Sequence, residues 1–235
     1  MSSFPDDTSD LRFEIIETAR ALPRLGLTKG TSGNVSARTK SGFLVTPSGM
    51  PYEDLTADKI VALDLDGCYR GEYLPSSEWR MHLDFYLAKP ACGAVVHCHS
   101  PRATALSCHR RGIPAFHYMV ALAGGDRIEC ADYASFGTRA LSDAMIAALG
   151  DRNACLLANH GQIAGGPTLE KALTITEGVE DLADQFLSSL ILGEPVILDA
   201  DEMAEILRKF KSYGKQTSEL EAGQAAAFEL PKRVD

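Results

Sequence analysis

No stretch of the chain approaches the roughly 18 consecutive apolar residues that a membrane-spanning helix needs, so a helical membrane protein is excluded. Basic charge is also short. Lysine and arginine number 23 against 32 aspartates and glutamates, for a formal net charge of −9. So acidic a chain lacks the broad basic face that nucleic acid requires. It also repels anionic substrates at long range, so any phosphate site must be local, built from backbone N–H groups, a metal or a few placed cations. None of the six cysteines, Cys68, Cys92, Cys98, Cys108, Cys130 and Cys155, falls in a Cys-x-x-Cys pair, which argues against a thiolate zinc knuckle. Most lie beside apolar residues, as expected of reduced, buried thiols. The opening MSSFPDDTSD has no basic segment followed by an apolar run, so a secretory signal is not expected and the expected location is a reduced cytoplasm. Repeats, low-complexity blocks and Pro/Ser-rich linkers are missing too. The 235 residues, 45% hydrophobic and 23% charged, therefore read as one domain over 1–214 with a polar, alanine-rich tail over 215–235.

The apolar spacing predicts a helix over 10–25, short strands over 35–38 and 43–46 around a hairpin turn, and a strand over 60–65. A helix is expected to start at Ser76-Ser77, with Trp79, Leu83 and Tyr86 on one face. Further strands are expected over 94–99, 115–122 and 154–159. Helices are expected after Ser100-Pro101, over 138–149 and over 168–192. Asp199-x-x-Glu202 has the form of a capping box for a last helix that reaches Tyr213. Strands and helices mix without strict alternation, which favours a mixed α/β domain with one central, mostly antiparallel sheet covered by helices.

The first chemical signal is Ala94-Val95-Val96-His97-Cys98-His99-Ser100. Side chains alternate along a strand, so His97 and His99 project from one face and can share a metal, while Cys98 points away. Spacing alone fits two hydrogen-bonded histidines at a strand end equally well. His160, at the end of an apolar strand and before Gly161, is the favoured third ligand over His82, His109 and His117. His82 lies one helical turn after Glu78, which suits a histidine supporting the site or packing beneath it. Three imidazoles with an open position describe a catalytic zinc site. They leave the cation's charge uncompensated, and Glu78 could compensate it, although an acid at a helix start also has a purely structural reason to be there.

Lys29–Asn34, Thr46–Gly49 and Ser76-Ser77 are small-residue segments whose N–H groups and hydroxyls could hold an anion. None matches a P-loop or a dinucleotide fingerprint, and each alone could be an ordinary turn. GTSGNVS, LPSSEW, AVVHCHS, IPAFHYM, AGG, YASFGTR and NHG, in this order over about residues 10–214, resemble the class II aldolase/adducin family. The resemblance implies a three-layer αβα domain, one Zn²⁺ per subunit held by His97, His99 and His160, and Glu78 as catalytic acid/base that can also touch zinc. It implies a phosphate pocket from Gly33, Asn34, Ser48, Gly49, Ser76 and Ser77. It also implies a homotetramer whose active sites lie between subunits, with Tyr118 and Tyr213 as catalytic tyrosines. The activity so implied is reversible cleavage of a ketose 1-phosphate, such as L-fuculose 1-phosphate or a deoxy- or methylthio-pentulose 1-phosphate, to dihydroxyacetone phosphate and an aldehyde. In that reaction Glu78 is expected to have a pKa raised toward neutrality by partial burial. Alternatives within the family are a pentulose-phosphate 4-epimerase and a methylthioribulose-phosphate dehydratase. A non-catalytic adducin-like scaffold would have lost the metal ligands, and all three histidines are present.

Overall fold

The structure is a computed structural model that describes residues 4–213, 216–220 and 227–228. Among the described residues, eight strands form one sheet in the order β4-β3-β2-β1-β5-β8-β7-β6. They are β1 (Asn34–Thr39), β2 (Gly42–Val45), β3 (Val61–Asp64), β4 (Tyr69–Arg70), β5 (Ala94–Cys98), β6 (Cys130–Ala131), β7 (Ala154–Leu157) and β8 (Gly161–Gly166). Among the described residues only the β6–β7 pairing is parallel, so the expected mostly antiparallel sheet is observed. The central strand β5 is an unbroken apolar run before its histidine and is buried throughout, as a strand covered on both faces should be.

Helices α2 (Trp79–Ala88) and α4 (Arg139–Leu149) cover one face. Met81, Phe85, Leu141 and Met145 pack there on Phe43, Val61, Val95 and Ile163. On the other face, α1 (Ser9–Arg24), α3 (Pro101–Cys108) and α5 (Leu169–Ser189) close over Val35, Ala94, Val96, Leu156 and Ala164. The result is three layers, α/β/α. Each fully buried Val, Leu or Ile contributes about 1.5–3 kcal/mol of hydrophobic stabilisation. Threonine hydroxyls cap α1, α4 and α5 through Thr8, Thr138 and Thr168, and Asp199 caps α6 (Ala200–Phe210) by accepting from the Glu202 N–H.

Three expectations need correction. The segment expected as a strand over 115–122 holds instead a 3₁₀ helix over Tyr118–Ala123, opened by the His117 side chain accepting from Met119 N–H. The helix expected from Ser76 starts at Trp79 with Glu78 in the cap position, while Ser76 Oγ accepts from Glu78 N–H at 3.2 Å. Strand β8, Gly-Gln-Ile-Ala-Gly-Gly, lies in a segment where no strand was expected. The chain boundary expected at 214 and most of the tail expected over 215–235 lie outside the described residues. Among the described residues no helix is long and apolar enough to cross a membrane. All six cysteines are free, with Cys92, Cys98 and Cys155 buried and Cys68 and Cys108 exposed.

Candidate active site

Period-two alternation on β5 sends His97 toward the α2 layer with Val95, and Cys98 into the opposite core. His99 follows the end of the strand, and His160 sits in the turn between β7 and β8, after Asn159, whose backbone is left-handed at φ 54°. Glu78 joins them from the cap of α2. One ligand atom from each of Glu78, His97, His99 and His160 lies within 4.8 Å of all the others. His97 Nε2 is 3.1 Å from Glu78 Oε2 and 3.1 Å from His99 Nε2, and His160 Nε2 is 3.2 Å from Glu78 Oε1. A tetrahedral zinc site with bonds of about 2.0–2.1 Å has edges of about 3.3–3.4 Å, so the separations suit one central cation.

The hydrogen bonds suit it as well. His97 Nδ1–H donates to the Gln162 carbonyl oxygen at 2.8 Å, which turns the lone pair of a neutral His97 ring toward the cluster. Glu78 Oε1 is buried and accepts no well-formed hydrogen bond among the described residues. A single shared proton could relieve the close approach of His97 and Glu78 but not the other two; one divalent cation relieves all three.

Burial pushes the Glu78 carboxyl up, but the facing His97 and His160 rings override it and hold the group well below the usual carboxylate range. The expectation of a Glu78 pKa raised toward neutrality is therefore corrected. Burial likewise pushes His97 down, and the Glu78 carboxylate reverses this and raises it. Burial, assisted by His97 and His160, lowers His99 to about 4, so at neutral pH its lone pair is free to bind a cation.

Glu78, His99 and His160, with His97 buried behind them, floor a cleft of about 380 Å³, and all six residues expected in the phosphate pocket, Gly33, Asn34, Ser48, Gly49, Ser76 and Ser77, line it. An isolated bridge between Pro47 and Pro75 holds two of the loops side by side. Ser76 N–H donates to the Thr46 carbonyl and Ser48 N–H to the Leu74 carbonyl, each at 3.0 Å. Gly33 has φ +98°, and a Cβ there would come within 2.7 Å of the His97 carbonyl oxygen. Only glycine lets this loop pass so close to the histidine-bearing strand β5. The Asn34 side chain is turned inward, donating to Glu78 Oε2 at 3.0 Å.

Neither Tyr118 nor Tyr213 lines the histidine cleft. They line a second, apolar cavity of about 540 Å³ with Phe116, Ile206, Phe210 and Phe228, and they are 50% and 70% exposed. Sequence reasoning assigned no role to Tyr133 and Phe136, which also line the cleft. The available signal was two aromatics in a short Gly-containing loop just ahead of a helix cap.

Residues 13–187 match the profile of the class II aldolase and adducin N-terminal domain. A 5-methylthioribulose-1-phosphate/5-deoxyribulose-1-phosphate aldolase of Rhodospirillum rubrum is 50% identical over 210 residues, 89% of this chain and 95% of that protein. An L-fuculose phosphate aldolase of Escherichia coli is 48% identical over 214 residues, 91% of this chain and 100% of that protein. A solved structure of an L-fuculose 1-phosphate aldolase superposes with a TM-score of 0.84 at 40% identity, covering 87% of this chain and 97% of that one.

Proposed function

The chain belongs to the class II aldolase and adducin family, and from that premise we propose that it is a zinc-dependent aldolase acting on a ketose 1-phosphate. The products are dihydroxyacetone phosphate and a short aldehyde, and the reaction is reversible. The observation that carries this reading is the Glu78/His97/His99/His160 cluster at the floor of a cleft whose rim is the serine- and glycine-rich cradle. His97, His99 and His160 would hold the metal, with Glu78 as a further ligand at rest. When bound, the cation supplies Lewis-acid stabilisation of the negative charge left as the carbon–carbon bond breaks.

The chain's own residues do the rest. Ser48, Ser76 and Ser77 hydroxyls, with backbone N–H groups beside Gly33 and Gly49, bind the phosphate and fix the dihydroxyacetone phosphate half. In the condensation direction Glu78 removes a proton from the carbon next to the carbonyl. That carbon forms a bond to the aldehyde carbon, and the aldehyde oxygen takes a proton from a tyrosine. In cleavage each step runs backward. Glu78 carries the proton at Oε1, because Oε2 is engaged by Asn34. Tyr118 or Tyr213 serves as the tyrosine across a subunit boundary in a homotetramer.

Tyr133 and Phe136 favour an aldehyde with an apolar end, as 5-deoxypentulose, methylthio-pentulose and L-fuculose 1-phosphates all release. The test is dihydroxyacetone phosphate release from a panel of ketose 1-phosphates by the metal-loaded protein. Cleavage of one or more of these three is expected. Release from none of the panel overturns the reading.

A further inference from the structure

Behind Glu78 a line of buried polar side chains runs into the core, beyond what is needed to hold a metal. Glu78, His82 and Tyr86 are spaced four apart on α2 and its cap, about 6 Å per step. Asn34 and Ser36 are two apart on β1, about 6.8 Å per step. The near match of the two repeats lets helix and strand side chains interleave. Asn34 Nδ2 is 3.0 Å from Glu78 Oε2, and His82 Nε2 is 2.5 Å from Asn34 Oδ1. Ser36 Oγ is 2.6 Å from His82 Nδ1 and 2.6 Å from the Tyr86 hydroxyl. All five side chains are buried.

One end of the line sets the direction of every bond. An ionised carboxylate only accepts, so Asn34 turns its NH₂ to Glu78 and its oxygen to His82. That oxygen also only accepts, so His82 carries its proton on Nε2. His82 Nδ1 then accepts from the Ser36 hydroxyl, and Ser36 Oγ accepts from Tyr86. Burial, with the His97 charge acting in the same sense, pushes His82 down to about 3, in keeping with a neutral ring.

We propose that His82 is a positioning residue for the aldol reaction, acting through Asn34 to fix Glu78 by its Oε2 and leave Oε1 free. The proposal rests on the aldolase reading of the cleft, but half of its test does not. In metal-loaded protein labelled with ¹⁵N-histidine, long-range proton–nitrogen correlation reads the His82 tautomer, and loss of the signal in His82→Gln assigns it. Protonation at Nε2 is expected. Protonation at Nδ1 overturns the proposal, whether or not any sugar phosphate is turned over.

The other half compares two variants. The His82→Asn amide reaches Ser36 but falls short of Asn34, whereas the longer His82→Gln amide reaches Asn34. His82→Asn should lose about 10–100-fold in kcat, with KM changed less than about threefold and the metal retained. His82→Gln should recover to within about threefold of the parent kcat. Equal losses in the two variants, or a change in KM alone, show packing only and overturn the proposal. If His82→Asn does not fold, the tautomer decides. A parent protein that cleaves no ketose 1-phosphate overturns the aldolase reading and leaves the tautomer result standing.

Discussion

Glu78 is the cap residue of α2 and is proposed to be both a metal contact and a proton carrier, and a near-isosteric change separates these roles. Gln at 78 keeps the size and polarity of the cap but cannot take up a proton. Three imidazoles remain for the metal. Glu78→Gln should therefore retain the metal by elemental analysis and the parent's urea midpoint, while kcat falls about 10²–10⁴-fold. Near-parental kcat would assign the proton to another residue. A second residue-scale effect is acid sensitivity. An unfolded histidine titrates near 6.5, and folded His82 is held near 3. Between these values the unfolded chain binds a proton that the folded chain does not. The sign follows: this stability is present above about pH 6.5 and is lost as pH falls toward 3. Over that window the slope of unfolding free energy against pH should be shallower in His82→Gln by up to about 1.4 kcal/mol per pH unit. Identical slopes in urea titrations from pH 7 to 4 would show that His82 is not buried neutral.

At the scale of elements, what the sequence revealed and what it hid have physical causes. His97 and His99 were legible because a strand's two-residue repeat is strict, and α4 was legible because Thr138 and Gly150 mark its ends. That His82 supports the site or packs beneath it was legible from its place one helical turn after Glu78, but its link to Ser36 was hidden because it depends on a helix repeat meeting a strand repeat 46 residues away in sequence. The 3₁₀ helix Tyr118–Ala123 was hidden because a short apolar run carries no decisive period. Strand β8 was hidden because glycine has low strand propensity, and its glycines answer to neighbours in space. A Cβ at Gly166 would come within 2.7 Å of the Ala172 backbone nitrogen of α5, and one at Gly165 would press on the Phe85 ring and come within 2.9 Å of Cys92 Sγ. Phe85 and Cys92 are both buried, so neither has room to swing aside. Gly165→Ala and Gly166→Ala should therefore each cost about 1–3 kcal/mol in denaturant unfolding. A near-neutral change at either position would mean that these neighbours do not set the composition of β8.

At the scale of the whole molecule, one chain presents the histidine cleft and, elsewhere, an apolar cavity holding Tyr118 and Tyr213. Large apolar side chains of the segment after α5, Ile191, Leu192 and Val196, are strongly exposed, as a surface covered by another subunit would be. A homotetramer whose cleft borrows a tyrosine from its neighbour accounts for both features, and subunit mixing tests it. A Glu78→Gln subunit has a damaged cleft but an intact Tyr118. A Tyr118→Phe subunit has an intact cleft and has lost one hydroxyl, with the ring kept for packing. Each homotetramer should be impaired. After dissociation and random reassembly at equal amounts in a cyclic tetramer, about one site in four joins an intact Glu78 to an intact Tyr118. Activity should rise to about a quarter of the parent's, and only after subunits have exchanged. If cleft and tyrosine belonged to the same chain, every reassembled site would keep one defect and no activity would return. A fully active monomer in sedimentation would refute the shared site by a different route, and an unimpaired Tyr118→Phe enzyme would assign the proton to Tyr213 instead. The first would show that no neighbour is needed, and the second that the Tyr118 hydroxyl is not the one handling the proton.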